Sequence, residues 1–383
     1  MKKVVHLITL LELGGAQGNT IHTVQSLPPS KFETFLWCGR GAYWDSEMKE
    51  RLGQGARLSF FSHLVRDIHP IYDLLVIWDL VRELKKLRPS ILHTHSSKAG
   101  IVGRLAGKLA GVPTIIHTFH GFGFNKQQHP WVRFIYVLLE KWAAKWSTAL
   151  IFVSEANRAE AGTLNIGAAH QYHLIRSGIP LKQLRKISQE EVAVKYKTEL
   201  QIPMNDKIII TISAFKPQKN LTDFVEMAAR IAELEKNVTF VIIGDGEQRN
   251  MLNKRIQDKN LTSRFRMLGW RTDASMIMAA SDIFVLTSLW EGLPRALVEA
   301  LVLGKPAVCY ETDGVMDILP KGGGVVVKQK DVVILADQIL SLLKNKDLYQ
   351  TLSQQAKNLI TDDFDIDEMV NQQEQLYDQL NHS

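Results

Sequence analysis

Short apolar runs alternate with longer amphipathic stretches along the whole chain. VVHLITLL, ILHTH, TIIHTFH and ALIFVS in the first half, then IIITIS, VTFVIIG, FRMLG, DIFVLTS and PAVCY in the second, read as buried strands. Between them, LLVIWDLVRELKKL, LTDFVEMAARIAELE and VVILADQILSLLK repeat apolar residues at helical spacing. This is the strand–helix–strand rhythm of parallel sheets with helices on both faces. It occurs twice, and a charged, strand-poor interval near residues 181–206 separates the two runs. The pattern predicts an α/β chain of two doubly wound, Rossmann-like domains, 1–180 and 181–364, with a last helical stretch at 365–383. In such sheets ligands bind beyond the carboxyl ends of the strands.

The length of 383 residues agrees with two domains, being more than one hydrophobic core usually covers. The start, MKKVVHLITLLELGG, mimics a short signal peptide, but Glu12 and the Gly14-Gly15 turn follow its apolar run directly. A first buried strand is the expectation. No stretch approaches the ~18 uncharged apolar residues of a membrane span. Cys38 and Cys309, far apart, make neither a disulfide framework nor a zinc pattern and fit a reducing cytoplasm. Charge is shared unevenly. Residues 1–180 hold 21 Lys and Arg against 12 Asp and Glu, while residues 181–383 hold 25 against 28. The basic first half either meets an anionic surface or substrate, or is a solvated face.

The most informative motif is EGLPRALVEA at residues 291–300. Pro294 is well placed as the first residue of a helix, with Glu291 in the loop before it and Glu299 about one and a half turns inside. Free N–H groups at the helix start favour an anion. A carboxylate on each side of that cradle suits a ligand with both phosphates and hydroxyls, such as a nucleotide sugar. Gly14-Gly15-Ala16-Gln17 follows the first strand, where a glycine lets backbone approach a phosphate. In SAFKPQKN, residues 213–220, Lys216 and Lys219 flank the next helix start; they suit a diphosphate or are surface lysines.

Other patterns exclude functions. Gly244-Asp245-Gly246 and Gly121-Phe122-Gly123 both lack the third glycine of a dinucleotide fingerprint, and no P-loop is present. TDDFDIDE, near residues 361–368, reads as acids capping the last helix rather than a metal site. His93, His95, His117 and His120 fall at the ends of two strands expected to be neighbours. They could bind zinc, but no Asp, Glu or Cys accompanies them, and no metal is expected. His120 reads instead as a polar side chain aimed into a cleft, and around Ser96-Ser97-Lys98 a helix is expected to begin with a Ser as its N-cap. The segment PWVRFIYVLLEKWAAKW carries Trp131, Phe134, Tyr136, Trp142 and Trp146; most of these are expected to pack on a sheet, the alternative being a membrane interface.

GGAQ at 14–17, HTHSSKAGIVGRLAGKLAGVP at 93–113, HTFHG at 117–121, FKPQKN at 215–220, GDG at 244–246, LGWRTD at 268–273 and EGLPRALVEA together cover nearly the whole length. In this order they resemble the retaining family 4 glycosyltransferases, whose Glu-x7-Glu signature the last run matches. The resemblance implies the GT-B fold: two Rossmann-like domains facing across a cleft, the last helix crossing back to the first domain, and closure that excludes water. It implies that Glu299 bonds the ribose hydroxyls and that Glu291, with backbone at Gly292 and Leu293, holds the donor sugar. Lys219 would neutralise the diphosphate with backbone at Gly15, His120 would contact the sugar near the reacting carbon, and Trp270-Arg271 would border the base. Gly244 joins these donor-binding positions. Three positions depart from the family: Ala214 stands for an Arg, with Lys216 as the substitute charge; Gln17 stands for Glu; Met316-Asp317 stands for Pro-Glu.

The expected reaction is metal-independent transfer with retention, from a nucleotide sugar, expected to be UDP-linked, to a lipid-linked or glycan acceptor. It would serve bacterial surface polysaccharide such as capsule or lipopolysaccharide. The nucleotide sugar is a substrate, so no cofactor is expected. The enzyme is expected in the cytoplasm, touching the anionic inner face of the membrane through its basic first half, with no nucleic-acid partner. Alternatives are a sugar-nucleotide epimerase of the same fold and a non-catalytic sugar-nucleotide-binding protein.

Overall fold

Thirteen strands form two separate sheets in the computed structural model, which describes residues 1–12, 14–41, 52, 56–125 and 127–380. Leu13 of the opening segment and residues 381–383 of the expected terminal helix lie outside the described residues. The chain divides into one unit of Met1–Gly178 with Ile366–Ser383, and a second of Ile179–Asp365.

The first unit holds β1 (Lys2–Ile8), β2 (Phe32–Gly39), β3 (Ala56–Phe61), β4 (Ile91–His95), β5 (Thr114–Phe119), β6 (Ala149–Phe152) and β7 (Tyr172–Leu174), in the order β3-β2-β1-β4-β5-β6-β7. Every pair is parallel. The chain winds one way from β1 and then the other, so the order reverses between β1 and β4. Side chains alternate across the sheet. Val5, Leu7, Leu92 and Ile115 pack on helices Pro70–Leu87 and Ser97–Ala110. Val4, Ile91 and Ile116 pack on Met369, Val370, Leu376 and Tyr377 of the terminal helix Ile366–Leu380. The end of the chain is thus part of the first unit's core.

Two helices of this unit carry apolar residues on their outer faces. Pro70–Leu87 exposes Ile71, Leu74, Leu75 and Trp78, with Leu74 at 69% and Trp78 at 62%. Pro130–Ala144 exposes Trp131, Phe134, Ile135 and Trp142, at 68%, 56%, 52% and 50%. These are spacings of three and four, one stripe per helix. The expectation that most aromatics of the second segment pack on the sheet is therefore overturned: Trp131, Phe134 and Trp142 face outward, and only Tyr136 and Trp146 are half-buried. The helix already seats Ala143 and Ala144 against the unit, and Glu140 pairs in the interior with Arg104 at 2.5 Å. The bulky aromatics occupy the opposite side. No helix among the described residues is long and apolar enough to cross a membrane.

The second unit holds β8 (Lys207–Ile212), β9 (Val238–Ile243), β10 (Phe265–Met267), β11 (Ile283–Leu286), β12 (Ala307–Tyr310) and β13 (Gly324–Val327), in the order β10-β9-β8-β11-β12-β13, again all parallel. Ile209, Phe240, Ile242, Val285 and Val308 pack on Phe224, Val225 and Ile231 of helix Leu221–Leu234 and on Leu335 and Ile339 of helix Val332–Lys344. Here the reversal lies between β8 and β11. Gly244, just past β9, has φ +132°, and a Cβ there would come within 1.9 Å of the Ser213 carbonyl oxygen. Only glycine lets the β8 and β9 exits approach this closely.

Candidate active site

The reversal point of the second sheet gathers the strongest set of polar groups. The loop after β8 carries Lys216, the short turn Pro217–Lys219, and Asn220 in a left-handed conformation (φ 45°) before helix Leu221–Leu234. The loop after β11 carries residues 287–294 and leads into helix Arg295–Val302. Four contacts join the two loops. The Leu289 N–H donates to the Gln218 carbonyl (2.8 Å), the Gln218 amide donates to the Trp290 carbonyl (2.7 Å), and the Thr287 hydroxyl donates to the Lys219 carbonyl (2.9 Å). The fourth is the ion pair of Lys219 Nζ with Glu291 Oε1, at 2.5 Å. Backbone and side-chain bonds thus hold Lys219 and Glu291 in a fixed relation at the place where such sheets bind ligands.

Pro294 occupies the N-cap rather than the first helical position, with ψ 92° outside the helical range. Glu299 lies inside the helix as expected. Its Oε2 accepts from the Ser275 hydroxyl at 3.2 Å, and withdrawal from water pushes its carboxyl up, partly opposed by Arg295. Burial pulls the Arg295 guanidinium down. Gly292 and Leu293 are buried, and a Cβ at Gly314 would sit 2.0 Å from the Gly292 carbonyl oxygen. A second close backbone approach thus packs the loop of residues 291–294 from the β12 side.

Trp270 is 38% exposed at the turn after β10. Its neighbour Arg271 is already engaged: Nε donates to Asp273 at 2.7 Å and Nη2 reaches Glu199 at 2.8 Å. Tyr196 donates to the same Asp273 at 2.8 Å, and burial raises its phenol to about 12. Gly244 donates its N–H to the Gly269 carbonyl at 2.8 Å, which ties the β9 exit to this turn. Lys216 is half-buried at the start of the lysine turn, beside Ala214.

In the first unit, Gly15 opens helix Gly15–Ser26 and Gly14 is extended. Ser96 sits at the N-cap of helix Ser97–Ala110 with φ 62°, but its hydroxyl makes no cap bond. Thr9, just past β1, provides it instead: its Oγ1 accepts from the Ala99 N–H at 3.2 Å and lies 2.7 Å from Ser96 Oγ. The serine-cap expectation fails because the Ser96 hydroxyl is engaged by the His95 carbonyl and by Thr9 instead. The histidines also regroup. His117 faces helix Ser97–Ala110, 2.9 Å from Thr94 Oγ1 and beside Gly100. The cluster on the other face is His6, His93 and His95, with His120 reaching His95 at 3.2 Å. His6 and Tyr377 escaped the sequence reading, although a histidine inside the apolar run VVHLITLL is a visible signal. Ser275 offered none.

Comparison with solved structures places the fold. The Anabaena protein HepE in complex with UDP and glucose matches with a TM-score of 0.84 at 20% identity, over 99% of this chain and 100% of that one. WaaG, described as a glycosyltransferase involved in lipopolysaccharide biosynthesis, matches at 0.78 and 13%, over 97% and 99%. The two units are the Rossmann-like domains of the GT-B fold. The family described as glycosyl transferase 4-like domain matches residues 14–178, and glycosyl transferases group 1 matches residues 194–359. An Escherichia coli relative, UDP-Gal:alpha-D-GlcNAc-diphosphoundecaprenol alpha-1,3-galactosyltransferase, is 32% identical over 98% of this chain and 96% of its own. A Campylobacter jejuni relative, N,N'-diacetylbacillosaminyl-diphospho-undecaprenol alpha-1,3-N-acetylgalactosaminyltransferase, is 27% identical over 93% and 94%. The chain belongs to the family 4 glycosyltransferases.

Proposed function

We propose that this glycosyltransferase moves a sugar from a UDP-linked donor to a sugar carried on a polyprenyl diphosphate, with retention and without a metal, in the assembly of a bacterial surface polysaccharide. The observation that carries the donor reading is the Lys219–Glu291 pair at the reversal point of the second sheet, with Glu299 in the helix that follows. Lys219 meets the pyrophosphate, aided by Lys216. Glu291 and the backbone of Gly292 and Leu293 take sugar hydroxyls, Glu299 takes the ribose, Trp270 with Arg271 borders the base, and Gly244 shapes the turn beside it. From the first unit, Gly15 offers backbone to the phosphates and His120 a polar contact to the sugar.

In the reaction the bond from the anomeric carbon to the phosphate oxygen breaks. The acceptor oxygen bonds that carbon on the same face, and the acceptor's proton passes to the departing phosphate. Positive charge from Lys219 and Lys216 stabilises the leaving diphosphate in place of a cation. The two relatives named for diphosphoundecaprenol substrates support a lipid-linked acceptor. The first unit supplies a matching cavity of about 360 Å³, walled by Leu10, Ile68, Tyr136 and Leu139, with Ser97 and Lys98 at its polar side. It also supplies the two outward apolar stripes, which support contact with the inner face of the cytoplasmic membrane.

The test is a transfer assay with UDP-hexoses and a short-chain prenyl-diphosphate sugar, with the linkage read by NMR and chelator present in one arm. Transfer with an α-linked product in chelator is the expected result. Donor consumption without acceptor would favour the epimerase, binding without turnover the silent protein, and loss of activity in chelator would remove the metal-free step.

A further inference from the structure

Strand register sets His6 of β1 opposite His93 of β4, and alternation puts His95 on the same face. The terminal helix lays Tyr377 over these rings. They form one continuous line. Thr118 Oγ1 lies 2.7 Å from His93 Nε2, and His93 Nδ1 lies 2.5 Å from Tyr377 Oη. Tyr377 Oη lies 3.5 Å from His6 Nε2, His6 Nδ1 lies 3.0 Å from His95 Nε2, and His95 Nδ1 lies 3.2 Å from His120 Nε2. Each of the three inner histidines uses both ring nitrogens. His6, His93 and Tyr377 are fully buried and His95 is 2% exposed.

A neutral imidazole has one donor and one acceptor nitrogen. In a line of such rings each link needs one of each, and the choice passes through Tyr377 when its hydroxyl donates to one ring and accepts from the other, so that one choice then fixes all the others. If protons point from Thr118 toward His120, Nε2 of His120 accepts and Nδ1 carries its proton. If they point the other way, Nε2 of His120 donates. The two orientations hold the same number of protons and differ in which nitrogen of each ring carries one and in which way the two hydroxyls point. His117 and the Arg104–Glu140 pair are separate from this line: Arg104 bonds the Gly100 carbonyl of the helix that His117 faces.

We propose that His95, His6 and Tyr377 are positioning residues for His120: the buried line sets which ring nitrogen of His120 is protonated, and Tyr377 couples its two halves. This rests on the reading of His120 as a contact of the donor sugar, for which a defined tautomer presents either a donor or an acceptor. The terminal helix thereby acts on the site through Tyr377, 371 residues away from His6 in sequence.

The experiment is a long-range ¹H–¹⁵N correlation spectrum of histidine-labelled protein, which reports the tautomer of each ring, on wild type, Tyr377→Phe and Thr118→Val. Wild type should show His120 in one dominant tautomer. Both variants should raise the minor tautomer at least threefold. They should also lower kcat severalfold at unchanged KM for the donor. Thr118→Val removes only the far end of the line, so it serves even if Tyr377→Phe does not fold. An unchanged His120 tautomer ratio in a folded variant overturns the proposal. His120→Ala with wild-type turnover would instead remove the sugar-contact reading and leave the spectroscopic coupling to be judged by itself.

Discussion

Lys219 Nζ sits 2.5 Å from Glu291 Oε1, with only 20% and 9% of the two side chains exposed. The pair spans the loops after β8 and β11, so each residue positions the other. An exposed pair would contribute little, but this one is mostly removed from water. Lys219→Ala removes the charge proposed to face the leaving diphosphate and strands Glu291. Transfer should fall roughly a hundredfold, the effect of losing one charge-stabilising contact worth ~3 kcal/mol. Circular dichroism should remain native. The double variant Lys219→Ala with Glu291→Gln should recover thermal stability but not turnover. Wild-type rates in Lys219→Ala would dismiss its role.

Glu299 gives a pH signature. Its carboxyl is held above the usual range by desolvation, so it protonates at higher pH than an exposed glutamate. The proposed bonding to two ribose hydroxyls would favour the ionised form. UDP affinity should therefore be full above the raised pKa and decline as pH falls through it, with the decline beginning above 4.5. Calorimetry of UDP binding from pH 8 to 5 checks this. Glu299→Gln should bind about tenfold or more weakly at pH 8, consistent with losing a charged hydrogen bond, and show a flat pH profile. A sloping profile in the variant would assign the effect elsewhere.

Most central strands were legible in the sequence because they are short apolar runs, broken in β4 and β5 only by His and Thr. Of the edge strands, β10 was legible as FRMLG, while β3, β7 and β13 were not; all four are only partly buried, and three of them are three or four residues long. β2, FETFLWCG, is well buried, but Glu33 and Thr34 break its apolar run after Phe32. The site was legible where chemistry and spacing coincide, as at Lys219, Glu291 and Glu299. It was illegible where tertiary contact decides. Ser275 meets Glu299 from another helix, Thr9 caps a helix ninety residues away, and Tyr377 joins the histidines from the chain's end. The outward aromatics of Pro130–Ala144 show the same limit: periodicity reveals a stripe, but not which side of it meets the sheet.

Gly244 tests the packing of the second unit. Its φ is +132°, and a methyl carbon added there would lie only 1.9 Å from the Ser213 carbonyl oxygen. Gly244→Ala therefore brings both strain and a clash with backbone that cannot swing aside. Each effect costs on the order of 1–3 kcal/mol. The second unit should lose about 3 kcal/mol or more, read by urea melts. UDP binding should weaken in the fraction that stays folded, because the exits of β8 and β9 separate.

Acid should unfold the first unit before the second. His6, His93, His95 and His117 are all held below the ordinary imidazole value by burial, His6 to about 3. In the unfolded chain these rings titrate near 6.5, so the unfolded state takes up more protons. Stability is complete above that value and is lost as pH falls below it. The loss is up to about 1.4 kcal/mol per pH unit for each ring, or about 5.6 for four together. Residues 179–365 contain no histidine. Melts at pH 7, 6 and 5 should therefore split into two transitions, the lower one moving steeply. His117→Asn should reduce the steepness by one proton, and a single pH-independent transition would contradict the account.

The outer stripes of helices Pro70–Leu87 and Pro130–Ala144 bear on membrane contact. Trp78 and Trp131 are more than 60% exposed, and Arg82 stacks on the Trp78 ring with its guanidinium 5.1 Å from the centroid. Lys85 and Lys86 end the first helix, and Lys141 lies in the last turn of the second. Aromatics beside basic residues suit the boundary of an anionic bilayer. Burying one such aromatic contributes about 1.5–3 kcal/mol. Trp131→Ser with Phe134→Ser should cut sedimentation with anionic vesicles at least tenfold, at unchanged or higher melting temperature, since neither ring stabilises the fold. Raising salt should weaken wild-type binding by screening the lysines, leaving a residual apolar component. Activity toward a water-soluble short-chain acceptor should survive the double substitution, whereas activity toward the full-length lipid in vesicles should fall with binding. Absence of wild-type binding to anionic vesicles at low salt would leave the stripes without this partner.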